Sequence, residues 1–230
     1  MIKMQLELRY RASFNESIES RHEGLMRLFC KIPGCWGLKG TVLPTVPDIG
    51  GELMVQCDLK DFLGAGVSGR LVYVFRDRNY LKDSSQYDDC MFIELNPELI
   101  PYKELVNRMF IDYVRLFEPY RATIILDEEL ALDDWDIISE MREDAKIDVD
   151  GRDTIYRLNS VNYFDELLCR RSFGLTLKEI ITRLEGNVET ISLEGNGVLI
   201  IYSTQILKRS EIENINEKLL PLLYRKNALH

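Results

Sequence analysis

Alternating and helical spacings of apolar residues divide this chain into a run of short elements. Residues 4 to 10 alternate, with Leu6, Leu8 and Tyr10 on one side, the pattern of a half-buried strand. Ser13 with Glu16 forms a capping box, and Ile18, Leu25, Phe29 and Ile32 follow at helical spacing before Pro33. Residues 33 to 50 carry three prolines and Trp36 and read as an irregular loop. Three extended runs come next, Glu52 to Leu59, Leu71 to Arg76 and Cys90 to Leu95. Pro97 and Pro101 open a helix with Leu105, Met109, Tyr113 and Leu116 on one face, and Pro119 closes it.

The second half carries further strand and helix signals. A short strand spans Ala122 to Leu126, and a helix runs from about Asp134 to Ala145. Its spacing turns Trp135, Ile138, Met141 and Ala145 inward and leaves Asp136, Glu140, Glu143 and Asp144 outside. After a turn at Asp150-Gly151, residues 154 to 158 read as extended and Tyr163 to Arg171 as helical. Thr176 with Glu179 caps a helix ending near Gly186, and a hairpin over 188 to 203 turns at Gly195-Asn196-Gly197. Ser210 with Glu213 starts a last helix striped by Ile212, Ile215, Leu219 and Leu223. Strands in runs with flanking helices predict an α+β fold with largely antiparallel sheet. The chain reads as a single domain of 230 residues, or as two packed lobes, 1–119 and 120–230.

The stretch Gly64-Ala65-Gly66-Val67-Ser68-Gly69 matches the dinucleotide fingerprint G-x-G-x-x-G. That fingerprint requires a buried strand before it and a helix after it, so that the pyrophosphate meets the helix amides. Here Asp58, Lys60 and Asp61 interrupt the preceding run, and the β-rich segment RLVYVFRD follows. The glycines therefore read as a loop between antiparallel strands, and no nucleotide is expected.

Charge changes the picture more than composition does. The net charge is −9, from 38 acidic and 29 basic side chains. Residues 127 to 150 hold eleven acids against Arg142 and Lys146, and the remainder, with 27 acids and 27 bases, is balanced. The whole imbalance thus sits in one window that repels nucleic-acid phosphates and attracts a basic partner. No run of apolar residues is long enough to cross a membrane. Five cysteines without a C-x-x-C pair, and the absence of a secretory leader pattern, read as a reduced, cytoplasmic protein.

Candidate chemistry is sparse. Asp148-Val149-Asp150-Gly151 is calcium-like only in part, because aligning Gly151 with the loop's sixth position puts Lys146 and Arg157 where carboxylates are needed. His22 lies mid-helix between charged neighbours, on the expected wet face, and His230 is the last residue, so neither suits a triad. Cys169 reads as a small buried hydrophobe, and core packing is the general expectation for Trp36 and Trp135. No cofactor, metal site or catalytic residue is expected. The acids could instead serve a carboxylate-based, metal-dependent hydrolase through Asp133, Asp134 and Asp136, or form a solvated face.

Three stretches together carry a resemblance: the strand and capped helix ending in CWGLKG, the helix YKELVNRMFIDYVRLFEPYRATI, and the tail GVLIIYSTQILKRSEIENINEKLLPLL. Their layout resembles the immunity proteins of bacterial polymorphic-toxin systems, most nearly the immunity protein 52 family. The resemblance implies a cytoplasmic α+β protein, not an enzyme, that binds and blocks a co-encoded toxin. Such toxins are often nucleases of restriction-endonuclease type delivered by type VI secretion. It brings no defined functional residues. The charge reading supplies them: Glu128, Glu129, Asp133, Asp134, Trp135, Asp136, Glu140, Glu143 and Asp144 as the partner-binding set, with the toxin's basic cleft as the partner and neither nucleic acid nor membrane bound.

Overall fold

Alternation at the start of the chain becomes β1 (Met4–Arg11), which buries Met4, Leu6 and Leu8 completely. A computed structural model describes residues 4–40, 42–126, 128–145 and 147–224. The chain divides after Pro119 into two units, Met1–Pro119 and Tyr120–His230. The strands within each unit pair antiparallel, with helices alongside, so the fold is α+β. Among the described residues, no helix is long and apolar enough to cross a membrane.

In the first unit, α1 (Ile18–Phe29) is capped by Ser17, whose hydroxyl accepts from the Ser20 amide at 3.1 Å. Ser13, the cap expected from the sequence, instead accepts from the Asn15 amide and shapes the turn before the helix. His22 is buried rather than wet. Its Nδ1 lies 3.0 Å from the Tyr73 hydroxyl and its Nε2 2.9 Å from the Pro44 carbonyl. A carbonyl can only accept, so in the neutral ring Nε2 donates and the Tyr73 hydroxyl donates to Nδ1. Helical periodicity missed this because Tyr73 and Pro44 come from distant segments.

Strands β2 (Met54–Asp58), β3 (Val67–Val74) and β4 (Asp88–Leu95) complete this unit's sheet in the order β2-β3-β4-β1. A single helical stretch, α2 (Tyr102–Glu104), a π turn (Leu105–Met109) and α3 (Phe110–Phe117), buries Leu105, Met109, Tyr113 and Leu116 as the spacing predicts. It ends at Glu118, held left-handed at φ 50° just before Pro119. Trp36 is buried, and the Tyr113 hydroxyl donates to its carbonyl at 2.8 Å.

The glycine pattern acquires its reason here. Strand β3 opens at Val67, where a dinucleotide site would need a helix. The Gly64 amide donates to the Cys35 carbonyl at 2.6 Å, and a Cβ on Gly64 would lie 2.5 Å from the Cys35 Cα. Gly66 sits at φ 83°, the left-handed region that glycine enters without strain.

In the second unit the sheet order is β5 (Arg121–Ile125), β6 (Val161–Asp165), β8 (Gly197–Ile201) and β7 (Thr190–Glu194). The helices of this unit are α4 (Glu128–Ala145), α5 (Glu166–Phe173), α6 (Leu177–Leu184) and α7 (Arg209–Leu223). Two expectations are corrected. Residues 154–158 form no strand, and the helix expected from Tyr163 is a strand through Asp165 followed by α5. Asp165 makes the switch, ending β6 and accepting the Leu168 amide at 2.7 Å as the helix cap. Thr176 and Glu179 form the expected capping box, whereas α7 starts before Ser210, with the Lys208 amide donating to the Glu211 carboxylate at 2.8 Å. Phe164, Leu168, Phe173, Ile180, Val198, Ile215 and Leu219 share one core. Cys169 lies in it, and burial pushes its thiol up to about 12. All five cysteines are unpaired.

Two glycine substitutions have opposite expected outcomes in urea denaturation. Gly64→Ala forces backbone apart and lowers stability by about 2 kcal/mol. Gly24→Ala, inside α1 with open space around its Cβ, raises stability by up to about 1 kcal/mol.

Candidate partner-binding helix

Helix α4 is 18 residues long, so it spans about 27 Å at ~1.5 Å per residue. Glu128 and Glu129 lie in its first turn and Arg142 in its last, each complementing the helix dipole. Asp127, Lys146 and the side chain of Ala145 lie outside the described residues.

The face that α4 turns to its own unit is a line one turn apart: Leu130, Asp134 and Ile138. Asp134 is only 7% exposed. Arg157 meets it with a two-pronged ion pair, its Nε bonding one carboxylate oxygen and its terminal nitrogen the other at 2.6 Å. That carboxylate raises the Arg157 guanidinium above its ordinary value. Two further arginines tether the helix. Arg209 at the start of α7 reaches Asp133 at 2.6 Å, and Arg142 donates to the Val149 carbonyl at 2.8 Å.

The expected orientation is therefore rotated. Ile138 is inward as predicted, but Trp135 is 53% and Met141 42% exposed, while Asp134 takes the buried place. Leu132 at 62% and Ile137 at 46% join them outside, and helical spacing singles out neither. Glu128, Glu129, Asp136, Glu140, Glu143 and Asp144 are all exposed, and among the described residues none of these six forms an ion pair. Arg142 lies 5.8 Å from the Trp135 ring on the helix flank.

The calcium-like turn that follows α4 is satisfied by protein groups. Asp148 accepts the Arg152 amide at 2.7 Å and approaches Arg142 at 3.4 Å. Asp150, left-handed at φ 51°, accepts the Tyr156 amide at 2.9 Å and pairs with Arg121 at 2.8 Å. Arginines and backbone amides thus fill the place a cation would take. Asp133, Asp134 and Asp136 do not converge either: the first two answer different arginines and the third faces outward. Among the described residues, no cluster of three His, Cys, Asp or Glu side chains is placed to hold a metal. In the first unit, a groove of about 340 Å³ crosses the open face of β2, β3 and β4. It is lined by Asp58 and Glu94 against Lys60 and Arg70, so its charges balance.

Fold and helix together define an α+β protein whose most distinctive surface is one acidic, partly apolar helix. No protein-family model matches the chain. No curated protein sequence matches it. Among solved structures its fold is similar to that of the Pseudomonas aeruginosa T6SS protein PA0821, with TM-score 0.53 over 97% of this chain and 74% of that one. Sequence identity between the two is 12%, so the likeness is one of fold.

Arg157→Leu strands the Asp134 carboxylate against α4's packing face. The expected loss in urea denaturation is roughly 2 kcal/mol, below the ~3–5 of a fully buried pair because Arg157 keeps some solvent. The double variant Asp134→Leu with Arg157→Leu removes both charges and recovers most of that loss.

Proposed function

We propose that this protein is an immunity protein, which binds a toxin encoded beside it and neutralises it through α4. The observation that carries this reading is the outer arc of α4: six acids without an ion pair among the described residues, interspersed with exposed large apolar side chains. A nuclease must hold phosphates on a basic surface, and an acidic counter-surface competes for that same surface. The acids speed encounter at long range, and the apolar contacts slow release. The fold neighbour is a T6SS protein, which supports placing this toxin pair in a type VI secretion setting. On this reading the protein acts in the cytoplasm and is not an enzyme.

Asp133 and Asp134 weaken the rival hydrolase reading, since each is already neutralised by an arginine of its own chain. They leave the partner-binding set in a direct sense and serve as tethers. The binding surface is then Glu128, Glu129, Asp136, Glu140, Glu143 and Asp144 with Trp135.

The test is co-purification with the product of the reading frame immediately upstream. A complex is expected at low salt that weakens at ~0.5 M, where the screening length shrinks to about 4 Å. Failure to form a complex at either salt would contradict the immunity role.

A further inference from the structure

Helix α4 departs from the usual amphipathic pattern. It buries a carboxylate at Asp134 and exposes Leu132, Trp135, Ile137 and Met141. A surface helix ordinarily turns its large apolar residues to the core, and local rules tend to be broken where a site is built. The arrangement of the exposed residues is specific. At about 100° per residue, Leu132 and Trp135 form a ridge on one side of the acidic arc, and Ile137 and Met141 form a second ridge on its other side, next to the inward line of Leu130 and Asp134. Asp136, Glu140, Glu143 and Asp144 occupy the arc between them. Spacings of three and four residues are those by which a helix anchors itself in a groove.

Resting on the immunity reading, we propose that α4 docks lengthwise in a groove of the toxin whose floor is basic and whose two walls are apolar. A helix with acids along its crest and apolar residues down both sides fits a concave surface better than a flat one. A flat surface would reach the crest or one ridge, and would leave the other ridge in water. The charge pattern fixes the floor as lysine- and arginine-rich, which is the character of a nucleic-acid-binding cleft. Arg157 holds α4 from its inner side, which suits this role, while Arg209 meets Asp133 at the acidic arc and Arg142 lies along the Trp135 ridge.

The experiment measures association and dissociation of the upstream toxin, carrying an inactivating substitution, from three variants of this chain. They are Leu132→Ala with Trp135→Ala, Ile137→Ala with Met141→Ala, and Asp136→Asn with Glu140→Gln, Glu143→Gln and Asp144→Asn. All the replaced side chains are exposed, so the melting temperature stays near that of the parent. Each apolar pair is expected to speed dissociation at least ~10-fold with little change in salt dependence, as removal of buried anchors does. The acid-neutralised variant is expected to slow association and flatten its salt dependence. If only one apolar pair matters, α4 lies on a flat surface and the groove is wrong. If the parent binds while neither apolar pair changes dissociation, the docking mode fails and the immunity reading survives. A parent chain that binds no upstream product overturns both.

Discussion

The pairing of Asp134 with Arg157 decides what the second unit shows to solvent. Removing a carboxylate from water is unfavourable unless a matched cation takes its hydrogen bonds, and the planar guanidinium of Arg157 meets both oxygens. With that pair in place, Leu130 and Ile138 one turn to either side close onto the unit, and the rotation of α4 follows. Rotating the helix to bury Trp135 would pull Asp134 off Arg157 and leave both charges unmatched. The four large apolar side chains lie on two sides of α4, so no rotation buries them all, and the ion pair fixes which stay exposed. Each side chain left outside forgoes burial worth ~1.5–3 kcal/mol.

The same pairing sorts the acidic window into two classes. Asp133, Asp134, Asp148 and Asp150 are spent inside the unit, on Arg209, Arg157, Arg142 and Arg121. Glu128, Glu129, Asp136, Glu140, Glu143 and Asp144 project outward and leave a negative field at the surface. A net charge read from sequence makes no such division. It counts every acid alike, whereas the arginines that neutralise some of them come from α4 itself, β5, α7 and the segment after the turn.

Local patterns carried the architecture wherever neighbours along the chain decide the outcome. The buried positions of β1, the face of α2 and α3, the Thr176–Glu179 capping box and the stripe of α7 all follow from spacing. The α+β class followed from the order of elements. Spacing failed where a distant polar group takes over: at His22, held by Tyr73 and Pro44, and at Asp134, held by Arg157 23 residues on. It also failed at β6, where Asp165 ends a strand and begins a helix within one residue. In α4 the apolar residues are spread around the helix, so more than one inward face satisfies periodicity.

Collisional quenching of tryptophan fluorescence tests the orientation of α4 most directly, because the chain has two tryptophans and Trp36 is buried. With Trp36 replaced by Phe, the remaining emission belongs to Trp135. An exposed indole on an acidic helix should be quenched readily by caesium, which the acids attract, and poorly by iodide, which they repel. Shielding from both ions and from neutral acrylamide would place Trp135 in the core, and would contradict an α4 held by Asp134 and Arg157 with its apolar ridges facing solvent.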